Sequence, residues 1–143
     1  MTVLDAYAVL ALLKGEPAAW HVPQLLDAAD CGLTALGVAE VVDHLVRIAG
    51  ATDEDAALDL AQLGLAAPDP VDAELALQAG LLRARHYDRQ SRAVSLADCV
   101  AAEIARSLNS AVATSGPHLL DLCRDEGIGV APLPDSHGVI WSP

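Results

Sequence analysis

Strands alternating with helices along 143 residues predict an α/β fold, a three-layer α/β/α sandwich around a mainly parallel sheet. Three observations carry the prediction. Short apolar runs recur, separated by stretches whose apolar residues repeat at helical spacing. Glycines and capping residues punctuate those stretches where helices should stop and start. The composition is 53% hydrophobic but only 3% aromatic, with no Phe. A core of Leu, Val and Ala suits helices packed closely on a sheet. The length is near the commonest domain size, so residues 1–143 are expected to form a single domain, with 134–143 an irregular C-terminal tail.

In order, Thr2 to Leu4 reads as a buried strand ending at Asp5, and Ala6 to Lys14 as a helix stopped by Gly15. Pro17 opens a second helix running to about Ala29. Cys31 to Ala35 is a second strand, and Gly37 to Ala49 has helical spacing through Val38, Val41, Val42, Leu45 and Ile48, closed by Gly50. Thr52 caps the next helix, with Asp53, Glu54 and Asp55 in its first turn, where the dipole favours acids. Leu63 to Ala67 is expected as a strand, and Pro68 and Pro70 break the chain before a helix from about Val71 to Tyr87. Ser95 and Asp98 form a capping-box pair for a helix reaching about Leu108. A strand at Ala111 to Ala113, a helix at Pro117 to Glu126 and a strand at Ile128 to Pro132 complete the alternation.

Charge narrows the functional classes. With 8 Lys+Arg against 20 Asp+Glu the net charge is -12, which excludes nucleic-acid binding through a broad positive surface. Any such contact must be local, and the one basic patch is Arg83, Arg85, Arg89 and Arg92, just ahead of Asp98. No apolar run has the length of a membrane span, and Asp5 interrupts the region where a signal peptide would be apolar, so a cytoplasmic protein is expected. Cys31, Cys99 and Cys123 are odd in number and widely spaced, suggesting neither disulfides nor a zinc site. The five histidines show no His-x-x-x-His spacing and read as structural. A mean hydropathy of +0.36 leaves apolar surface for a partner or for self-association.

The most informative residues are Asp5, Glu40 and Asp98, each set in an apolar stretch: Thr2-Val-Leu-Asp-Ala-Tyr-Ala-Val-Leu, Leu36-Gly-Val-Ala-Glu-Val-Val and Ser95-Leu-Ala-Asp-Cys-Val-Ala-Ala. An acid at the edge of a core must be paired, hydrogen-bonded or bound to a cation. Basic partners are few, and hard ions such as Mg²⁺ and Mn²⁺ take oxygen ligands. In a parallel sheet ligands bind beyond the carboxyl ends of the strands, where all three acids can converge. Each also has a structural reading: Asp5 as a helix cap, Asp98 as the third residue of a capping box, Glu40 as a solvent-facing helix residue.

These segments resemble those of the PIN domain ribonucleases, particularly the VapC toxins of bacterial toxin–antitoxin pairs, and the resemblance covers nearly the whole chain. Val3 to Pro17 looks like the family's opening strand, acid and helix; Leu33 to Glu40 resembles its second acidic segment, and Ser95 to Asp98 its third. The resemblance implies that Asp5, Glu40 and Asp98 are ligands of a divalent metal, Mg²⁺ or Mn²⁺, and that the chain hydrolyses RNA. It further implies a cognate antitoxin and a homodimer, and the arginine segment would guide phosphate. The fourth segment departs from the pattern. The family usually carries Thr-x-Asp, and here Thr114 stands at the threonine and Gly116 at the aspartate. Thr114 can offer a hydroxyl to water or phosphate. The missing acid keeps a second function open, a degraded PIN module that acts by binding alone.

Overall fold

The computed structural model describes residues 1–24, 31–66 and 70–143. Four short strands, β1 (Thr2–Leu4), β2 (Cys31–Leu33), β3 (Ala111–Thr114) and β4 (Gly129–Pro132), pair in the order β2-β1-β3-β4. Every pair is parallel, so each connection crosses over and carries helices. Between them run α1 (Ala6–Lys14), α2 (Ala35–Asp43), α3 (Asp53–Gln62), α4 (Ala73–His86), α5 (Leu96–Ser107) and α6 (Pro117–Glu126). None of the described helices is long and apolar enough to cross a membrane.

Side chains alternate across a strand, and here that alternation divides the core in two. Val3 and Val112, paired in register, face a layer built from α4, α5 and α6, including Leu82, Ile104, Leu119 and Leu122. Leu4 and Ala113, the next pair, face α1, α2 and the turn after it, including Val9, Ala11, Val41 and Leu45. The three-layer sandwich expected from the sequence is the fold observed.

Several elements differ from expectation. Pro17–Trp20 is a 3₁₀ turn, residues 22–24 are helical, and the rest of the expected helix to Ala29 lies outside the described residues. The expected strand at Leu63 to Ala67 is replaced by a turn with Gly64 at φ 65°, leaving one parallel bridge, Ala66 to Gly32; Ala67 lies outside the described residues. A left-handed residue cannot extend a ladder. The helix expected from Gly37 starts two residues earlier, because Thr34 caps it by accepting from the Gly37 amide at 2.9 Å. It then loosens into a π turn over His44–Ile48. The tail from Pro134 is irregular apart from a bridge to Ile140, and Trp141 ties it to α6 by donating its indole N–H to Asp121 at 2.9 Å.

Gly129 opens the edge strand with its backbone pressed on its neighbour. A Cβ there would stand 2.9 Å from the Ser110 carbonyl oxygen and 3.3 Å from the Ala111 Cβ. Gly129→Ala is therefore expected to destabilise the fold by about 1–3 kcal/mol despite the residue's exposure. A urea midpoint equal to that of the wild type would contradict the close approach.

Candidate metal centre at the sheet switch point

The chain leaves β1 toward β2 on one side of the sheet, whereas β3 and β4 lie on the other, so the order reverses at the carboxyl ends of β1 and β3. Such switch points open a crevice. Asp5 is the residue after β1, and its amide donates to the Ala113 carbonyl of β3 at 3.2 Å. Its side chain caps α1, one carboxylate oxygen accepting from the Ala8 amide at 2.9 Å. The other oxygen accepts from the Thr114 hydroxyl.

Asp98 arrives from the opposite layer. Ser95 and Asp98 form the expected capping box: the Asp98 amide donates to the Ser95 hydroxyl at 3.0 Å and the Asp98 carboxylate accepts from the Ser95 amide at 2.9 Å. Glu40, one turn into α2, completes the set from the rim, where it is exposed while Asp5 and Asp98 are half-buried. The three acids line one cleft of about 120 Å³ together with Tyr7, Thr34 and Gly37, and no Lys or Arg shares the lining. The capping roles and a shared cleft coexist, because the α1 and α5 N-termini both point at this rim.

The charges are uncompensated. Burial pushes the Asp5 carboxyl from its ordinary 3.8 up to about 7, against the Thr114 hydroxyl and Ala8 amide, which favour the charged form; Asp98 and Glu40 add to the rise. Burial raises Asp98 against its bonds from Ser95. Loss of solvation on its inner side, then the proximity of Asp98, raises Glu40. A cleft of hard oxygen donors holding negative charge without a cationic side chain fits a hard divalent ion by its chemistry. Among the described residues no three acid, His or Cys side chains stand close enough to enclose an ion as they are.

The remaining residues singled out by sequence divide. Thr114 is completely buried, and its hydroxyl both donates to Asp5 and accepts from the Gly116 amide at 3.0 Å. It therefore holds Asp5 in place and does not face water or phosphate. Gly116 caps α6 with no side chain to do so. Asp121 lies off the rim, engaged by Trp141 and Arg124.

Three of the four arginines have partners on their own layer. Arg83 donates to the Val94 carbonyl at 2.9 Å and lies over the Tyr87 ring, Arg85 pairs with Glu126, and Arg92 pairs with Asp125. Arg89 forms no ion pair among the described residues. Glu126 gathers Arg85, His86 and Arg106; burial works against its charge, yet those bonds hold it at about 2. Sequence reasoning missed Tyr7, which lines the cleft and whose hydroxyl is shut off from solvent close to Ser115 and Glu16. A lone tyrosine in an apolar helix gives no signal of that.

The sequence profile of the family described as PIN domain matches residues 2–125. Among solved structures the fold is similar to FitAcB from Neisseria gonorrhoeae, with TM-score 0.64 and 19% identity over 91% of this chain and 96% of that one. It is similar to VapBC2 from Rickettsia felis, bound to a DNA fragment from their promoter, with TM-score 0.66 and 14% identity over 91% and 96%. FitAB bound to an IR36 DNA fragment gives TM-score 0.67 and 19% identity over 92% and 94%. A search of curated proteins finds no match.

Proposed function

Because the chain belongs to the PIN domain family, we propose that it is a metal-dependent endoribonuclease of the VapC type, acting on RNA in the cytoplasm. The observation that carries the reading is the cleft itself: three acids from three elements, raised in pKa, with no basic side chain among them. Asp5, Glu40 and Asp98 are the residues that would hold Mg²⁺ or Mn²⁺. When bound, the ion polarises a phosphoryl oxygen and lowers the pKa of a water. The protein's own part is positional. Ala8 and Thr114 fix both Asp5 oxygens, and Ser95 fixes Asp98, so these two acids are pre-aimed.

An antitoxin is the proposed partner and a homodimer the proposed assembly. Exposed Ile48, Leu58, Leu77 and Leu81 supply apolar surface for such contacts. A chain of net charge -12 is poorly suited to holding DNA itself; the promoter fragment bound to the VapBC2 pair fits a partner that carries that role.

The second reading is a degraded module that binds without cleaving. The observation favouring it is Gly116, where the resemblance expects a fourth acid. Calorimetric titration with Mn²⁺ tests the common site: about one ion is expected for the wild type and none for Asp5→Asn or Asp98→Asn. Equal binding by the Asp5→Asn/Asp98→Asn double variant would refute it.

A further inference from the structure

One of the five histidines is held by a contact that decides its chemistry. His118 stands in the first turn of α6, two residues after Gly116. Its Nδ1 lies 3.0 Å from the Ala93 backbone nitrogen. A backbone amide can only donate, so Nδ1 is the acceptor, and the hydrogen of the neutral ring sits on Nε2. Nε2 meets no partner among the described residues and is not sealed from solvent.

The imidazole joins two segments that build the cleft. Ala93 precedes Ser95, whose amide and hydroxyl hold Asp98. His118 itself follows the turn in which Thr114 holds Asp5. The polar lining of the cleft is Asp5, Glu40 and Asp98 with Tyr7 and Thr34, and His118 lies outside it, next to the segments that hold Asp5 and Asp98. Gly116 brings no carboxylate, no side chain caps the first turn of α6, and the later acids of that helix are engaged, Asp121 by Arg124 and Trp141, Asp125 by Arg92 and Arg124. The free Nε2–H is thus a hydrogen-bond donor on a segment flanking the proposed cation cleft, outside its lining. A phosphodiester needs that division: one oxygen toward the cation and others toward N–H groups.

Resting on the nuclease reading above, we infer that His118 is a substrate-contact residue, its Nε2–H donating to a non-bridging phosphate oxygen of the RNA strand lying across the acid cleft. Two substitutions separate this from a merely structural role. Asparagine keeps an acceptor where Nδ1 stands and loses the distal donor. Glutamine keeps a distal donor and gives up the acceptor for Ala93.

The probe is a labelled single-stranded oligoribonucleotide cleaved by the wild type, selected from a random-sequence pool and assayed with Mn²⁺. His118→Asn is expected to raise KM about tenfold, the loss of one hydrogen bond to a charged group, with kcat within about threefold and Mn²⁺ affinity unchanged. His118→Gln is expected to stay within about threefold of wild-type KM. Long-range ¹H–¹⁵N spectra of the free protein should show the Nε2–H form for His118. Wild-type KM in His118→Asn, or an equal rise in both variants, would overturn the assignment and leave the nuclease reading standing. A wild type that binds Mn²⁺ but neither cleaves nor binds any oligonucleotide in the pool would overturn both.

Discussion

Asp5→Asn is expected to lower Mn²⁺-dependent RNA cleavage by roughly 10²–10³-fold while making the metal-free protein more stable at alkaline pH. The two effects have one cause. The Asp5 carboxyl sits at about 7 in the folded state against an ordinary 3.8, so between those values the folded chain holds a proton that the unfolded chain has lost. Stability therefore falls as pH rises from about 4 to about 7 and stays at its lower level above. Asparagine keeps an oxygen for the Ala8 amide and removes the charge. It should gain on the order of 1–3 kcal/mol at pH 8 and little near pH 4, read from urea unfolding in the presence of a chelator. A variant that is less stable than wild type at pH 8, or that still cleaves RNA, would show that Asp5 is only a helix cap.

Gly116→Asp is expected to raise Mn²⁺ affinity and cleavage by about tenfold or more, since an added carboxylate supplies another oxygen to the rim. The backbone permits it: φ is −68° and ψ 112°, and a Cβ would meet Thr114 Oγ1 at 3.4 Å and Leu119 Cβ at 4.0 Å, both ordinary contacts. Gly116 is not in the left-handed region, so no strain opposes the change. An aspartate would also cap α6, adding a few tenths of a kcal/mol. Asp5 already combines the cap role with a place in the cleft. Cleavage that the substitution leaves unchanged would mean three acids suffice. Metal binding without cleavage in either protein would favour the degraded module.

Much of this was legible because the acids are local to helix starts. Asp5 follows an apolar triplet, Ser95 and Asp98 form a capping box, and both patterns fix backbone and side chain within four residues. The parallel topology then brings those starts to one edge. What sequence could not show depends on partners far along the chain. The arginine segment reads as a free basic patch, yet Glu126 and Asp125, more than thirty residues on, engage Arg85 and Arg92. The burial of Thr114 follows from its place beside β1, and the fixed imidazole of His118 depends on an amide 25 residues away. Gly64 misled for a different reason: its apolar neighbours mimic a strand, and only its positive φ ends the run.

The hydrogen bonds that hold the acids also set how many lone pairs remain for an ion. Asp98 uses one oxygen on the Ser95 amide, and Asp5 has one bond to each oxygen, from Ala8 and Thr114. Of about four lone-pair sites on a carboxylate, Asp98 keeps about three and Asp5 about two. With one oxygen from each of Asp5, Glu40 and Asp98, a hard divalent ion at the proposed site would still have positions left for water and phosphate. An ion so held would be expected to leave on dialysis against chelator and to return as divalent cation is restored. Two acids fixed in aim by their own hydrogen bonds and a third left exposed would make the proposed site one that its surroundings load, with the substrate's oxygens completing the shell.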